Sequence, residues 1–167
     1  GKTQNGSRSN YMMWIHGGGD LGEFATLEGH FACGFTVNLP KWGAVFTNDK
    51  TKNIADGKWH HVACTYKAPF LSAYVDGELE LKVENKAVEG VVRKPSTTGH
   101  FMIGAQRVGS HTEINKVKCG IDGFVDEVAV FNAALTEAEI NALRVEGLAV
   151  DSRGKLATTW GEIKSRN

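Results

Sequence analysis

The dipeptide Asp76-Gly77 lies between two runs in which apolar and polar residues alternate, residues 71–75 and 78–83. Asp-Gly readily adopts the two positive φ angles of a type I′ turn, so this segment predicts a β-hairpin. Further short alternating runs cover residues 11–16, 31–39, 42–47, 58–66, 101–105 and 123–131, and many of the chain's 20 glycines fall between them. Short strands punctuated in this way are typical of an all-β sandwich.

A single helix is predicted near the end of the chain. Thr136 and Glu139 have the spacing of a capping box, in which each side chain accepts a hydrogen bond from the other residue's backbone N–H. Leu135 and Ile140 have the spacing of a hydrophobic staple, and Gly147 stands where a left-handed C-terminal residue is common. We therefore expect one short helix packed against the sandwich.

The length of 167 residues fits one domain. We predict a sandwich over residues 1–147 and an extended C-terminal tail over residues 148–167, in which residues 156–160 are a candidate added strand. No apolar run approaches the ~20 residues needed to cross a bilayer. No segment has the pattern of a signal peptide, so if the natural protein is secreted we expect its targeting segment to have been removed or to precede residue 1.

The charge balance limits the class of partner. The chain has 19 Lys and Arg and 19 Asp and Glu, so its formal net charge is zero. Nucleic acids and anionic membrane surfaces are bound by a clustered positive surplus. The composition therefore argues against both of these partners.

Four segments, in this order and spacing, resemble the laminin-G-like domains of the concanavalin A-like lectin and glucanase superfamily. They are residues 56–66 (DGKWHHVACTY), 74–79 (YVDGEL), 101–104 (FMIG) and 123–136 (GFVDEVAVFNAALT). The resemblance implies a jelly roll of two antiparallel sheets, often with a calcium ion. The fold class we expect is therefore an all-β, concanavalin A-like antiparallel sandwich with one short C-terminal helix.

The start of the chain departs from this family pattern. Only ten residues precede Tyr11, where such domains usually have several strands. Either residues 11–15 take the place of one of those strands, or the chain is the later part of a longer domain. In the second case we expect open sheet edges, which invite pairing with another chain and make a homo-oligomer a candidate.

Alternation in the run 58–66 puts Trp59, His61, Ala63 and Thr65 on one face, which we predict to be the interior. We then expect His61 to be buried and bonded to the backbone, whereas His60 points the other way.

Asp126 lies in the run 123–131, on a face otherwise formed by Val128 and Val130. An isolated carboxylate is costly on an apolar face and needs a partner. A calcium ion or a set of backbone N–H donors would supply one, and we predict Asp126 as a ligand if calcium binds.

Trp42, Asp20 and Asn48 are the predicted glycan contacts. Lectin sites stack sugar rings on aromatic faces and bind hydroxyls with Asn, Asp and Gly amides, usually on loops. Trp42 follows a turn, and Asp20 and Asn48 begin polar loops. The alternative for Trp42 is a half-buried sheet aromatic, and we expect Trp14 and Trp59 in the core.

Residues 78–84 (ELELKVE) are the nearest match to the catalytic Glu-x-Asp-x-x-Glu strand of the related glucanases. The spacing differs and the central Asp is replaced, so we interpret this run as the solvated face of a strand and predict no enzymatic activity.

Cys33 and Cys64 fall inside predicted strands, and Cys119 makes the count odd. No C-x-x-C pair is present, so a zinc site is not predicted. Two interpretations of Cys33 and Cys64 stay open: buried free thiols, or a disulfide between them.

These observations predict a non-catalytic, extracellular or cell-surface module that binds a polysaccharide or glycan, with calcium as candidate cofactor. The alternative is a structural or protein-interaction module, such as an adhesion unit, of a larger extracellular protein. Fold alone does not decide between the two.

Overall fold

The computed structural model describes residues 11–17, 27–38, 42–47, 50–86, 103–104, 106–107, 117–118 and 120–147. Its elements in chain order are β1 (Tyr11–Ile15), β2 (Phe31–Asn38), β3 (Trp42–Phe46), β4 (Val62–Lys67), β5 (Phe70–Val75), β6 (Glu78–Glu84), β7 (Gln106–Arg107), β8 (Val117–Lys118) and α1 (Glu137–Glu146). Strands β1-β2-β3 form one antiparallel sheet, β4-β5-β6 form a second, and β7 pairs with β8. The expected class, antiparallel sheets with one short helix, is confirmed.

The two strongest local signals form as expected. Asp76 and Gly77 have φ angles of 54° and 86° and connect β5 to β6, with Val75 paired to Glu78. Thr136 caps α1, and its capping box with Glu139 is complete. These segments are determined by neighbours in sequence, so the sequence pattern is sufficient to predict them.

The core lies between the two three-stranded sheets, where β2 faces β5. Phe35 of β2 meets Tyr66 of β4 edge-on, with ring centroids 4.5 Å apart, and so joins the sheets. The buried cluster consists of Phe31, Cys33, Phe35, Ile54, Leu71, Ala73 and Val75, and the residues packed against it are Val62, Cys64, Tyr66, Leu81 and Val83. Each three-stranded sheet thus contributes one apolar face to the interior, which is what a sandwich requires.

The inward face of β4 is the opposite of the predicted one. Val62, Cys64 and Tyr66 turn towards the core, whereas Trp59 has 63% of its surface exposed. The prediction that Trp59 lies in the interior is therefore wrong. Alternation defines two faces but does not say which is buried, and here Val62, Cys64 and Tyr66 fill the space opposite β2.

The predicted strand over residues 123–131 is also wrong. Glu127 has a φ of 52°, in the left-handed region that interrupts an extended strand, and its backbone N–H donates to Asp126 Oδ1 at 2.8 Å. Such a local side-chain hydrogen bond competes with ladder pairing. Among the described residues this segment pairs with no strand, and Phe124 and Val130 are 83% and 81% exposed.

Two buried threonines continue the hydrogen bonding of β2 beyond the end of β3. Thr47 Oγ1 accepts from Cys33 N at 2.9 Å, and Thr51 Oγ1 accepts from Phe31 N at 2.9 Å. Thr51 Oγ1 also donates to Phe31 O at 3.0 Å. The two threonine hydroxyls thus bond to backbone groups of β2 that a neighbouring strand would otherwise pair with, and they hold the segment after β3 against the sheet.

Several sequence predictions fall outside the described residues, among them the tail 148–167 with its candidate strand and most of the run 101–105. Ile103 and Gly104 of that run form a bend rather than a strand. The division into a sandwich over residues 1–147 and a tail over residues 148–167 stays a prediction. The alternative that the chain is the later part of a longer domain also stays open.

Candidate functional site: the Trp59 surface

A tight turn places Trp59 outside the sheet. Asp56 Oδ1 accepts a hydrogen bond from Lys58 N at 3.0 Å, and Gly57 adopts a φ of 78°, which glycine tolerates because it has no Cβ. Strand β4 begins only at Val62, so Trp59 lies on the loop that leads into it. The sequence signal for this was Asp56-Gly57, a turn dipeptide just ahead of the aromatic residue.

Trp59 and Phe124 form an exposed aromatic pair. Their ring centroids are 6.4 Å apart and the ring planes are tilted by 30°. Trp59 is 63% exposed and Phe124 is 83% exposed, so both rings are open to solvent. The exposed side chains of Asp56 and Lys58, which form an ion pair at 3.2 Å, belong to the same loop as Trp59. We call these four residues the Trp59 surface.

His60 holds the loop of Trp59 in place through contacts with two carboxylates, those of Asp56 and Asp76. His60 Nε2 lies 2.9 Å from Asp56 Oδ1, and His60 Nδ1 lies 3.0 Å from Asp76 Oδ2. The His60 side chain is only 9% exposed. With an acceptor at each ring nitrogen, the doubly protonated imidazolium satisfies both contacts. Sequence reasoning gave His60 a minor role and missed this arrangement, because Asp76 is supplied by a distant turn.

Asp76 connects the loop to the β5–β6 hairpin. Besides His60, its carboxylate accepts from Lys52 Nζ at 2.5 Å and from His61 N at 3.2 Å. Lys52 N in turn donates to Glu80 Oε2 of β6 at 2.9 Å. The hairpin turn therefore holds both ends of the segment from Lys52 to His61, and the Trp59 loop has a defined position before any ligand binds.

The ionisation of this network follows from its geometry. The hydrogen bond to Asp56, and then those to Asp76, raise the pKa of His60 above its ordinary 6.5 against the opposing effect of burial. Hydrogen bonds from His60 and then Lys58 hold the pKa of Asp56 well below its ordinary 3.8. Burial raises the pKa of Asp76, but the hydrogen bonds from Lys52, His60 and the His61 N–H outweigh it and leave a lowered value.

These shifts define a pH window. A raised histidine pKa adds stability that is complete below 6.5 and is lost as the pH rises through the folded-state value. Lowered carboxylate pKa values add stability above 3.8 that is lost as the pH falls through their folded-state values. The network of His60 with its two carboxylates therefore stabilises the loop most in mildly acidic solution.

A second feature is an open cleft of about 510 Å³ between the hairpin turn and α1. It is lined by Asp76, Gly77, Glu78, Glu137, Ala138, Asn141 and Arg144. Glu137 Oε1 accepts from Leu79 N at 3.2 Å, and Asn141 Oδ1 accepts from Arg144 Nε at 3.0 Å. Several of its polar groups already bond within the protein, and its lining contains no aromatic residue, so the Trp59 surface is the better candidate for ligand binding.

The family model described as the concanavalin A-like lectin/glucanases superfamily, in its laminin G branch, matches residues 4–141. The chain belongs to this family. The match covers most of the 167 residues and includes every element of the Trp59 surface. It confirms the resemblance drawn from the motifs around Trp59, Asp76 and Asp126.

One solved structure is similar to this laminin G-type chain, an S-layer domain-containing protein (residues 221–444) from Clostridium thermocellum. The two are 21% identical with a TM-score of 0.42, and the similarity covers 70% of this chain and 52% of the other. The chain thus spans about half the length of the structure that it matches. Among curated proteins there is no significant match.

The predicted glycan contacts are only partly placed by the structure. Asp20 and Asn48 lie outside the described residues. The backbone places Trp42 as the first residue of β3, opposite Asn38. Trp14, expected in the core, is half-buried. Trp42, Asp20 and Asn48 as glycan contacts stay predictions.

His61 is half-buried, and its Nδ1 is enclosed without a hydrogen-bond partner among the described residues, so the expected backbone bond is not formed at that atom. Burial is the main cause that lowers the pKa of His61. Of these two histidines, His60 is therefore the one whose ring nitrogens have defined partners, whereas the sequence had assigned the hydrogen-bonded position to His61.

The residues around Asp126 do not by themselves fit a calcium ion. Asp126 is exposed rather than enclosed by an apolar face, and its Oδ1 already accepts from Glu127 N. Within the described ranges no group of three or more His, Cys, Asp or Glu side chains is arranged so that it could hold a metal ion. Calcium prefers six to eight oxygen ligands, so Asp126 as a ligand stays a prediction.

The carboxylates of β6 are mostly solvated. Glu78 and Glu84 are exposed, and Glu80 is half-buried against Lys52 N. In the described part of the chain, no helix is long and apolar enough to cross a membrane.

Proposed function

We propose that this laminin G-type chain is a non-catalytic extracellular module that binds a glycan at the Trp59 surface. The observation that carries the proposal is the exposed pair of Trp59 and Phe124. Leaving two large aromatic rings in water forgoes the free energy of burying them. A sugar ring recovers it, because the C–H face of the ring covers an aromatic face while its hydroxyls stay free to hydrogen-bond.

Polar groups of the same loop suit those hydroxyls. The Lys58 side chain is 77% exposed and its ammonium has three donors, of which one faces Asp56. The Asp56 carboxylate is 38% exposed and offers acceptors beside the Trp59 ring. Because His60 and Asp76 hold the loop in place, little conformational entropy remains to be lost on binding. The arrangement resembles a sugar subsite with an aromatic base and a charged rim.

The test is binding to a glycan array and to soluble cello-, laminari-, xylo- and chito-oligosaccharides, followed by calorimetry of the best ligand. Trp59→Ala should weaken binding at least tenfold, which corresponds to about 1.4 kcal/mol. Trp59→Phe should keep most of the affinity because it keeps an aromatic face. Val145→Ala, at a 69% exposed position on α1, is the matched control and should bind like the wild type.

Melting temperature separates binding from folding in this experiment. Trp59 is largely exposed, so Trp59→Ala should melt within a few degrees of the wild type. Wild-type affinity in Trp59→Ala, or no binding of the native chain to any glycan tested, would contradict the proposal.

A second candidate, a protein-interaction module, is favoured by a separate observation. Besides Phe124 of the Trp59 surface, the segment after β8 exposes a series of large apolar side chains, namely Ile121, Val125, Val128, Val130 and Phe131. Contiguous exposed apolar surface commonly marks a protein contact. Self-association is the form of this function that is directly testable with the chain alone.

Sedimentation of the wild type and of Val130→Asp distinguishes the two candidates. If the segment is a contact between copies, the wild type associates with rising concentration and Val130→Asp stays monomeric while keeping its glycan affinity. A monomeric wild type at all concentrations tested would argue against the segment as a contact between copies.

A further inference from the structure

Cys33 and Cys64 come from different sheets and meet in the core. Cys33 lies in β2 and is fully buried, and Cys64 lies in β4 and packs against the cluster that contains Cys33. Cys33 Sγ lies 4.0 Å from the backbone oxygen of Ser72 in β5. The next residue, Ala73, is the cross-strand partner of Cys64. Cys33 of the facing sheet therefore lies over β5 next to the position at which Cys64 pairs with it.

A small residue occupies this position of β5. Ala73 is completely buried and extends only a methyl group into the core. Ala73 lies on the central strand of its sheet, where it pairs with Cys64 of β4 on one side and with Leu81 of β6 on the other. The geometry thus brings the cysteines together across the sandwich.

The chemical state of the pair agrees with this contact. Both cysteines are free thiols, and a hydrogen bond to Cys33, followed by burial, raises the pKa of the Cys64 thiol above its ordinary 9.0. Thiols held in this protonated state react slowly in the closed core, because the thiolate is the nucleophile. Reaction is therefore expected while the sheets are apart, during folding or a transient opening.

We propose that Cys33 and Cys64 are a disulfide-forming pair that joins the two sheets when the chain folds in the presence of a disulfide donor. In the first step the thiolate of one cysteine attacks the donor R–S–S–R, which releases one R–SH and leaves a mixed disulfide. In the second step the other cysteine, as thiolate, attacks the mixed disulfide and releases the second R–SH. The two cysteines are oxidised, the donor is reduced to two thiols, and the two thiol protons end on these products.

Such a bond would act on a long chain loop. It would close the segment that contains β3, the Thr47 and Thr51 contacts and the Trp59 loop. Constraint of the unfolded chain is the main expected source of stabilisation. The consequence is a module that is more resistant to unfolding in an oxidising compartment than in a reducing one. The proposal does not depend on what the Trp59 surface binds.

The test uses the full chain with Cys119→Ser, so that only the proposed pair remains. The protein is refolded, and separately incubated in the folded state, with glutathione disulfide and glutathione as the donor couple. Remaining thiols are alkylated in denaturant, and the products are identified by intact mass and peptide mapping. Cys33→Ser and Cys64→Ser, each combined with Cys119→Ser, serve as controls.

After refolding we expect a peptide that links Cys33 to Cys64 and an intact mass lower by two hydrogens. The melting temperature of this protein should be several degrees higher than that of the reduced protein. The single-cysteine controls should show only mixed disulfide with glutathione and no such gain in melting temperature. Full alkylation of both cysteines after refolding under oxidising conditions would overturn the proposal. The wild type, refolded in parallel, should contain the same link, and a link from either residue to Cys119 in its place would overturn the proposal as well.

Discussion

Replacing Thr51 with valine tests how the segment ahead of the Trp59 loop is held. Thr51 is 5% exposed, and its hydroxyl accepts from the buried Phe31 N–H and donates to Phe31 O. Valine has nearly the same shape, so the change removes hydrogen bonds without opening a cavity. Leaving one buried backbone donor unpaired costs about 1–3 kcal/mol. For a chain of this size that corresponds to a fall in melting temperature of about 2–12 °C.

The assay is urea unfolding together with amide hydrogen exchange at Phe31. Thr51→Val should lower the midpoint and make the Phe31 amide exchange faster, since its acceptor is gone. Thr51→Ser is the control, because it keeps the hydroxyl and should keep that amide protected. An unchanged midpoint with an equally protected Phe31 amide in Thr51→Val would refute the role given to the hydroxyl.

Three further outcomes are expected. The stability lost in His60→Asn should be largest in mildly acidic solution. The loss should shrink as the pH rises through the raised pKa of His60, or as it falls far enough to protonate the two partner carboxylates. Thermal unfolding across a range of pH values measures this loss, and a difference between the two proteins that does not change with pH would contradict it. Gly77→Ala should destabilise by about 1 kcal/mol or more, because position 77 has a φ of 86° and an added Cβ would lie 2.5 Å from Asn141 Oδ1; equal urea midpoints would show that the turn adapts. If calcium binds through Asp126, calorimetry should detect binding that Asp126→Ala abolishes, and equal heats in both proteins would exclude this ligand.

The elements predicted correctly from sequence are those whose causes are local. The Asp76-Gly77 turn depends on two residues that tolerate positive φ, and the start of α1 depends on the reciprocal bonds of Thr136 and Glu139. Strands β1, β2 and β3 also lie within two residues of the predicted runs. In each case neighbouring residues carry enough information.

The errors arise where the deciding contact is distant in sequence. Alternation in residues 58–66 was correct, but the inward face depends on Phe35 of β2 meeting Tyr66. His60 has its place because Asp76 reaches it from the hairpin turn. In residues 123–131 the apolar alternation suggested a strand, and the local hydrogen bond from Glu127 N to Asp126 disrupts it. The geometry of the Trp59 surface depends on such distant contacts, so alternation alone does not predict it.

The most direct test of the Trp59 surface is a glycan titration followed through the indole N–H signals in a ¹⁵N spectrum. The chain has four tryptophans, and loss of one signal in Trp59→Phe assigns that of Trp59. With the best ligand from the array, the Trp59 signal should shift most among the indole signals and saturate with the calorimetric affinity. A Trp59 signal that stays fixed while that of Trp42 or Trp14 shifts would contradict the account.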